Sequence, residues 1–381
     1  MALFKKICII LTNRSEYAKV KSVLFRLRED KEFDLKILVG GSLANKRYGN
    51  AVQEITKDGF SISGVIKTIV DGDGVLDVIK SSGLQMYEEG LFFDSYKPDI
   101  AIIIGDRWEV VPLVFVLSMY CIPIAHLQGG EKSGTIDDVF RNVITKYSHI
   151  HFTANELCRK EVINLNECPD HVYSIGCPSL DIIKNIDVGD DVDLNKIQEY
   201  IKDPFTLSKK DKYFMVMVHP NVTIRSDIDI KIILKTLLRF PNKKIWFYPN
   251  EDPFHETITS AITRNREIIK FSHIDMNSFI MLMAHCSCFI GNSSAGIRET
   301  ASFGVPTINI GDRQIGRERN ENTIDVRCDE NEIYRAVYNS IGKKYPCKNI
   351  YGDGKSSDRI INIIKSYKKL NYKNINISEE K

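Results

Sequence analysis

The sequence predicts an α/β protein made of two doubly wound domains, and three observations carry that prediction. Short runs of Ile, Val and Leu alternate with longer segments of helical apolar spacing. The alternation stops near the middle of the chain and then restarts. Glycine and polar residues gather where the apolar runs end. Continuous apolar runs suit strands covered on both faces, as in a parallel sheet with helices on either side. In such sheets ligands collect beyond the carboxyl ends of the strands, so the clusters there are the candidates for chemistry.

In chain order, Lys6 to Leu11 reads as a strand and Tyr17 to Leu27 as an amphipathic helix. Leu35 to Val39, Ile100 to Ile104 and Pro123 to Leu127 are the next strands of the first half. Tyr213 to Val218, Lys244 to Tyr248, Ser287 to Ile290 and Pro306 to Ile310 repeat the pattern in the second. The boundary is expected after Gly176-Cys177-Pro178-Ser179, in the polar stretch from about Asp187 to Lys212. This divides the chain into domains 1–186 and 187–354, followed by a helix and polar tail, 355–381, returning to the first domain.

At 381 residues the chain is long for one domain, and with 43% apolar residues it can bury a large core. A net charge of +2 gives no reason to expect nucleic acid or a membrane surface as partner. Nine cysteines at irregular spacings, with no C-x-x-C pair and no zinc-type pairing with histidine, read as reduced thiols of a cytoplasmic protein. The apolar block Ile7 to Ile10 is too short for a signal peptide, and no run approaches the ~20 residues of a membrane span.

Five polar clusters stand at strand ends. Gly291-Asn292-Ser293-Ser294-Ala295-Gly296 opens a helical segment after a buried run. Small residues there let a backbone approach an anion, and the helix start points N–H groups at it. Glu299, one turn on, has the chemistry to accept hydrogen bonds from ribose hydroxyls. The plainer reading is a helix capped by Asn292 or Ser293. Asn13-Arg14-Ser15-Glu16 follows the first strand, where Arg14 can clamp phosphate oxygens or stand solvated. Gly105-Asp106-Arg107 follows the Ile-rich run; its acid and base are either functional or a mutual ion pair. His126-Leu127-Gln128-Gly129-Gly130-Glu131 leads through Ser133 to Asp138 into Arg141. Its glycines permit a strained loop, and its three carboxylates can push one another's pKa values apart, one serving as acid and another as base. Thr135 or Asp137 can also cap the helix through Val139, Val143 and Ile144. His219-Pro220-Asn221 ends the first strand of the second half, where a histidine can meet a pyrophosphate.

Together with Tyr48-Gly49-Asn50, Ile144-Thr145-Lys146, Tyr248-Pro249-Asn250, Arg313-Gln314-Ile315-Gly316-Arg317-Glu318 and Glu321-Asn322, these motifs resemble the UDP-N-acetylglucosamine 2-epimerase family, above all its hydrolysing branch. The resemblance runs from about Lys6 to Asn322. It implies two Rossmann-like domains facing across a cleft that holds the ligand, a GT-B-like arrangement, and commonly a homodimer. It also implies a reaction in two steps. UDP is eliminated across carbons 1 and 2 to give 2-acetamidoglucal, and water then adds with inversion at carbon 2 to give N-acetylmannosamine. That scheme uses a nucleotide-sugar substrate and no metal or redox cofactor. Motif by motif, Asp106 and Asp137 fall on acid/base positions, with Glu131 and Gln128 in the same loop. Arg14, Arg107, His219, Ser293 and Ser294 fall on diphosphate contacts, and Asn250, Glu299 and Arg313 on nucleotide or sugar contacts.

Three departures mark the chain. Gln128 stands where sialic-acid-type members usually carry Glu and some hydrolysing relatives His. An amide cannot transfer a proton in that way, so Glu131 covers the role, the substrate differs, or turnover is low. Leu43 and Asn142 stand where relatives place histidines. All three are expected to crowd the sugar side of the pocket and spare the nucleotide side. The leading expectation is UDP-N-acetylglucosamine as substrate. The alternative is the same reaction on a nucleotide-linked 2,4-diacetamido-2,4,6-trideoxyhexose. A glycosyltransferase of the same fold would not explain the acid-rich loop, a non-catalytic binder would explain Gln128, and the non-hydrolysing branch fits the Ser133 to Asp138 segment less well.

Overall fold

A computed structural model describes residues 5–44, 51–68, 75–189, 192, 197–200, 207–208, 210–220, 229–249, 255–272 and 274–367. Of the motif residues, Tyr48, Gly49, Asn50, Asn221 and Asn250 lie outside this set, as do the side chains of Arg14 and Ser15. The chain divides into two compact units. The first comprises Met1–Glu131, Asp137–Ile182 and Tyr351–Lys381; the second comprises Lys132–Ile136 and Ile183–Ile350.

The first unit holds strands β1 (Lys5–Leu11), β2 (Phe33–Val39), β3 (Ile62–Val65), β4 (Ile100–Ile104), β5 (Ile124–Leu127), β6 (Ile150–Thr153) and β7 (Val172–Ser174). They form one sheet in the order β3-β2-β1-β4-β5-β6-β7, with every neighbouring pair parallel. The order reverses between β1 and β4, which places the Thr12–Glu16 and Gly105–Arg107 turns at the switch point. Every residue of β4 and of β5 is buried, as the continuous Ile run requires. Around the sheet lie α1 (Arg14–Glu29), α2 (Ala51–Lys57), α3 (Val75–Ser95), α4 (Val110–Met119), α5 (Asp137–Tyr147), α6 (Glu156–Asn164) and α7 (Ser179–Asn185).

The second unit holds β8 (Tyr213–Met217), β9 (Lys243–Phe247), β10 (Ile269–Phe271), β11 (Cys288–Gly291), β12 (Thr307–Ile310) and β13 (Thr323–Val326), all parallel in the order β10-β9-β8-β11-β12-β13. Its helices are α8 (Ile230–Leu238), α9 (His255–Arg264), α10 (Met276–His285), α11 (Ser294–Arg298) and α12 (Glu330–Ser340). The predicted α/β class with two parallel doubly wound sheets is therefore what the chain adopts. The run beginning at Ile100 is the fourth strand in chain order rather than the third, because β3 precedes it.

The last helix, α13 (Ser356–Ser366), belongs to the first unit. Ile360, Ile361 and Ile364 join Val20, Val23 and Leu24 of α1 in one core. Each fully buried aliphatic side chain contributes about 1.5–3 kcal/mol. Both helix ends are tied down as well. The Ser356 and Ser357 N–H groups donate to the Asp181 carboxylate at 2.9 and 2.6 Å, and Lys5 Nζ donates to the carbonyls of Ile364 and Tyr367 at 2.6 and 2.9 Å. Among the described residues, no helix is long and apolar enough to cross a membrane.

Candidate active site

The acid-rich loop of the first unit is organised around an arginine. Arg141 lies on α5 three residues before Ile144 and four before Thr145, so all three share its buried face, and Arg141 is only 1% exposed. Its guanidinium donates to the carboxylates of Asp106 and Asp138 and to the main-chain carbonyl of Glu131. Burial alone would lower the arginine's pKa, but the charges of Asp106, Glu131 and Asp138 outweigh it and raise the pKa above its ordinary value. Carboxylates from the ends of β4 and β5 and from the first turn of α5 thus converge on one buried cation. Asp137, beside Asp138, is half-buried at the positive end of α5.

Backbone geometry holds these groups in place. Gly105 turns with φ +87°, and His126 on β5 pins that turn, its Nε2 lying 2.8 Å from the Gly105 carbonyl oxygen. Burial pushes the imidazole down to about 3, so the ring is neutral and Nε2 carries its proton. The Thr145 hydroxyl lies 3.3 Å from Nδ1 and donates to it. Gly130 has φ +76°, and a Cβ there would fall 2.1 Å from the Cys158 carbonyl oxygen. The strain expected of the two glycines also falls on Gln128, a non-glycine residue at φ +68°. Gln128 is buried, its N–H donates to the Phe152 carbonyl at 2.8 Å, and its Nε2 lies 3.3 Å from Cys177 Sγ. Cys177 Sγ in turn lies 3.1 Å from Ser179 Oγ.

Between Glu131 and Asp137 the chain passes into the second unit. There a Cβ on Gly134 would meet Ile315 Cγ2 at 2.6 Å, and one on Gly316 would meet Lys132 Cβ at 2.6 Å. The Arg313–Glu318 motif therefore packs against the Lys132–Gly134 segment of the same unit, and glycine is needed on both sides of the contact.

At the switch point, Glu16 reaches back from the first turn of α1. It accepts the Thr12 and Asn13 N–H groups at 2.6 and 3.1 Å, the half of a capping box that a third-position Glu supplies. Burial raises its carboxyl to about 7 against the opposing Thr12 bond, with Glu109 adding to the rise. Arg107 pairs with buried Glu109, its Nε 3.3 Å from Oε2 and its Nη2 3.3 Å from Oε1. So Asp106 pairs with Arg141 and Arg107 with Glu109, where the sequence offered a mutual pair as the plain alternative.

The second unit presents a different set. Gly291 ends β11 at φ +139°, where a Cβ would sit 1.9 Å from the Met217 carbonyl oxygen, so only glycine lets β11 close on β8 there. Asn292 is fully buried and clamps the His219 backbone, its Oδ1 accepting the N–H at 2.7 Å and its Nδ2 donating to the carbonyl at 2.9 Å. The Asn292 carbonyl accepts Arg313 Nη1 at 3.2 Å and Gln314 Nε2 at 2.9 Å. Ser293 is the cap of α11, its hydroxyl accepting the Ala295 N–H at 3.4 Å. A hydroxyl used as a cap still has a proton to donate. Ser294 opens α11 and Glu299 closes it, both half-buried. His219, Asn292, Ser293 and Arg313 are thereby brought together. Capping and clamping are divided between two residues, where the sequence left the cap open between Asn292 and Ser293.

The model of the UDP-N-acetylglucosamine 2-epimerase family matches residues 26–365. The chain belongs to this family. It is 32% identical over 370 residues to a UDP-N,N'-diacetylbacillosamine 2-epimerase (hydrolyzing) of Legionella pneumophila, covering 96% of each chain. It is 32% identical over 331 residues to a GDP/UDP-N,N'-diacetylbacillosamine 2-epimerase (hydrolyzing) of Campylobacter jejuni, covering 84% of each. In fold it is similar to the UDP-GlcNAc 2-epimerase of Methanocaldococcus jannaschii solved with UDP-GlcNAc and UDP, at TM-score 0.78 and 18% identity, over 94% of this chain and 99% of that one.

Within this 2-epimerase family the three departures separate. Leu43 is a member of the first unit's hydrophobic core, and Asn142 is exposed on α5. Of the three, Gln128 alone is a buried polar group. Sequence reasoning gave no role to Arg141 or Glu109 and counted Asp138 only as one of the loop's three carboxylates. The i, i+3 spacing of Asp138 and Arg141, with Arg141 in phase with Ile144, was the available signal.

Proposed function

We propose that this chain is a hydrolysing 2-epimerase acting on a nucleotide-linked 2,4-diacetamido-2,4,6-trideoxyhexose. The observation that carries the chemistry is the convergence of carboxylates from Asp106 and Asp138, with Glu131, on the buried Arg141. The proton at carbon 2 of the sugar is a poor acid, so its removal needs a carboxylate fixed in place, and Arg141 fixes Asp106. Asp106 and Asp137 act as the acid/base pair, with Glu131 beside them. A base takes the carbon-2 proton, the bond from carbon 1 to the diphosphate oxygen breaks, and a 1,2-unsaturated sugar remains. Water then adds hydroxyl at carbon 1 and a proton at carbon 2 from the opposite face. The products are the free 2-epimer and a nucleoside diphosphate. Arg14, Arg107, His219, Ser293 and Ser294 hold the leaving diphosphate, and Asn250, Glu299 and Arg313 the nucleotide or sugar.

UDP-N-acetylglucosamine, the leading expectation from sequence, takes second place on two grounds. The two relatives at 32% identity are named for a diacetamido sugar, one of them over 96% of both chains. Gln128 also replaces an acid with an amide in a buried position. The nine free thiols support action in the reducing cytoplasm. Val75, Leu76, Ile79, Tyr87 and Leu91 of α3 and Met119 of α4 are more than half exposed, which supports a homodimer formed through that face.

Proton NMR in heavy water, with the UDP-linked diacetamido sugar and UDP-N-acetylglucosamine supplied separately, tests the proposal. The diacetamido substrate is expected to give UDP and a free 2-epimer deuterated at carbon 2, at least tenfold faster than UDP-N-acetylglucosamine reacts. Faster turnover of UDP-N-acetylglucosamine would reverse the sugar assignment. A product still linked to UDP would place the chain in the non-hydrolysing branch.

A further inference from the structure

Helix α3 is built inside out. Its buried positions, Ser81, Gln85, Glu89 and Phe93, recur every four residues, and three of them are polar. Its leucines at 76 and 91 and its Ile79 are exposed. A buried polar atom without a partner is costly, so an amide and a carboxyl where apolar side chains would pack call for something that they hold.

Gln85 is completely buried, and its Nε2 lies 2.7 Å from Glu89 Oε1 and 2.6 Å from the main-chain oxygen of Glu109. Glu109 occupies the cap position of α4 but makes no side-chain capping bond. Its carboxylate instead faces the Arg107 guanidinium at 3.3 Å through both oxygens. The links therefore run from Glu89 to Gln85, from Gln85 to the Glu109 backbone, and from the Glu109 carboxylate to Arg107. Among the described residues of this chain of contacts, Arg107 alone is the partly exposed end; Gln85, Glu89 and Glu109 are buried.

We propose that Gln85 and Glu89 are positioning residues for Arg107, fixing the backbone at Glu109 so that its carboxylate presents the guanidinium to the diphosphate of the substrate. This rests on the assignment of Arg107 to the diphosphate made above. Protonation completes the pair. Among the described residues, Gln85 Oε1 and Glu89 Oε2 are both buried without a hydrogen-bond partner, two acceptors with no donor between them. Burial raises the Glu89 carboxyl to about 8, so at neutral pH it carries a proton and supplies a donor.

The test measures UDP and uridine affinity by calorimetry, together with steady-state kinetics, for Gln85→Leu, Glu89→Leu, Glu89→Gln, Arg107→Ala and the double variant Gln85→Leu/Arg107→Ala. Gln85→Leu and Glu89→Leu are expected to weaken UDP and raise KM about tenfold, with kcat within about twofold and uridine affinity unchanged. Glu89→Gln, neutral and of the same shape, is expected to behave as the parent. The double variant is expected to bind UDP no more weakly than Arg107→Ala, because the effect passes through the guanidinium. If Arg107→Ala weakens UDP while Gln85→Leu and Glu89→Leu do not, the positioning role is overturned and the diphosphate assignment stands. If Arg107→Ala itself leaves UDP affinity unchanged, the assignment falls and takes this proposal with it. Should the leucine variants fail to fold, Glu109→Gln reads the same chain from its last link. It keeps the shape and is expected to give the same loss of UDP with uridine unaffected, while parental UDP affinity there would overturn the proposal.

Discussion

The carboxyl ends of the two sheets are built on opposite plans. In the first unit, Asp106, Glu131 and Asp138 crowd a buried guanidinium, so the site is dense in groups that can take or give a proton. In the second, Asn292 grips the backbone of His219 through two neutral hydrogen bonds and receives Arg313 and Gln314 on its own carbonyl. Glu299 stands at the far end of α11. The first arrangement suits proton transfer, which needs paired acids of different strength. The second suits the holding of an anion, which needs rigid donors. On the proposed function one half would move protons and the other would hold phosphate, and each half makes predictions that the other does not.

The largest effect is expected from Arg141→Met. It leaves two carboxylates and a buried carbonyl without their cation, and removing one partner of a buried charge cluster costs about 3–5 kcal/mol. Thermal melting followed by circular dichroism should fall by about 10 °C, with turnover lost at all temperatures. A smaller loss is expected from Arg313→Met, whose guanidinium donates to the neutral Asn292 carbonyl at 3.2 Å. Equal losses in the two variants would erase the contrast between the units.

The next effect separates rate from affinity. Asp106→Asn and Asp137→Asn should lower kcat by about 100-fold or more while UDP affinity stays within about threefold. Asn292→Ala and Ser293→Ala should do the reverse, weakening UDP about tenfold through a released His219 and a lost cap while kcat changes little. Calorimetry with UDP beside steady-state kinetics decides the matter. Equal loss of UDP binding in the two Asp variants would make those acids structural.

How much of this was legible in the sequence follows from burial. β1, β4, β5, β8 and β11 could be read because strands covered on both faces must be continuously apolar, and their residues are buried almost throughout. β3, β7, β10 and β13 escaped notice, and all four are edge strands, three or four residues long. β6 escaped for another reason, since His151 and Thr153 interrupt its apolar pattern. The site was legible as positions and not as partners. Asp106, Glu131 and Asp137 stood out by type and place, but that Asp106 meets Arg141 thirty-five residues on depends on β4 lying beside β5, a tertiary fact. Periodicity also misleads at α3, whose exposed face is apolar and whose buried face is polar.

The smallest effect tests whether the acid cluster of the first unit is already complete. Gln128→Glu adds another carboxyl at a buried position whose backbone is held at φ +68° and whose side chain faces Cys177 at 3.3 Å. If Glu131 already supplies what an acid at 128 would do, kcat on the diacetamido substrate should change by less than about threefold, and UDP-N-acetylglucosamine should gain nothing. The introduced carboxyl loses the amide's donor to Cys177, so a stability loss of about 1–2 kcal/mol is expected. Burial raises its pKa in the folded state above the unfolded value. The folded state then binds the extra proton, and the stability difference from the parent widens as pH rises through the folded pKa. Melting curves of both proteins at pH 5, 7 and 9 check the sign. A melting difference that shrinks with pH would mean that the carboxyl is ionised and paired with a cation. A large gain on UDP-N-acetylglucosamine would show that the amide at 128, and not the rest of the pocket, turns the chain away from that sugar.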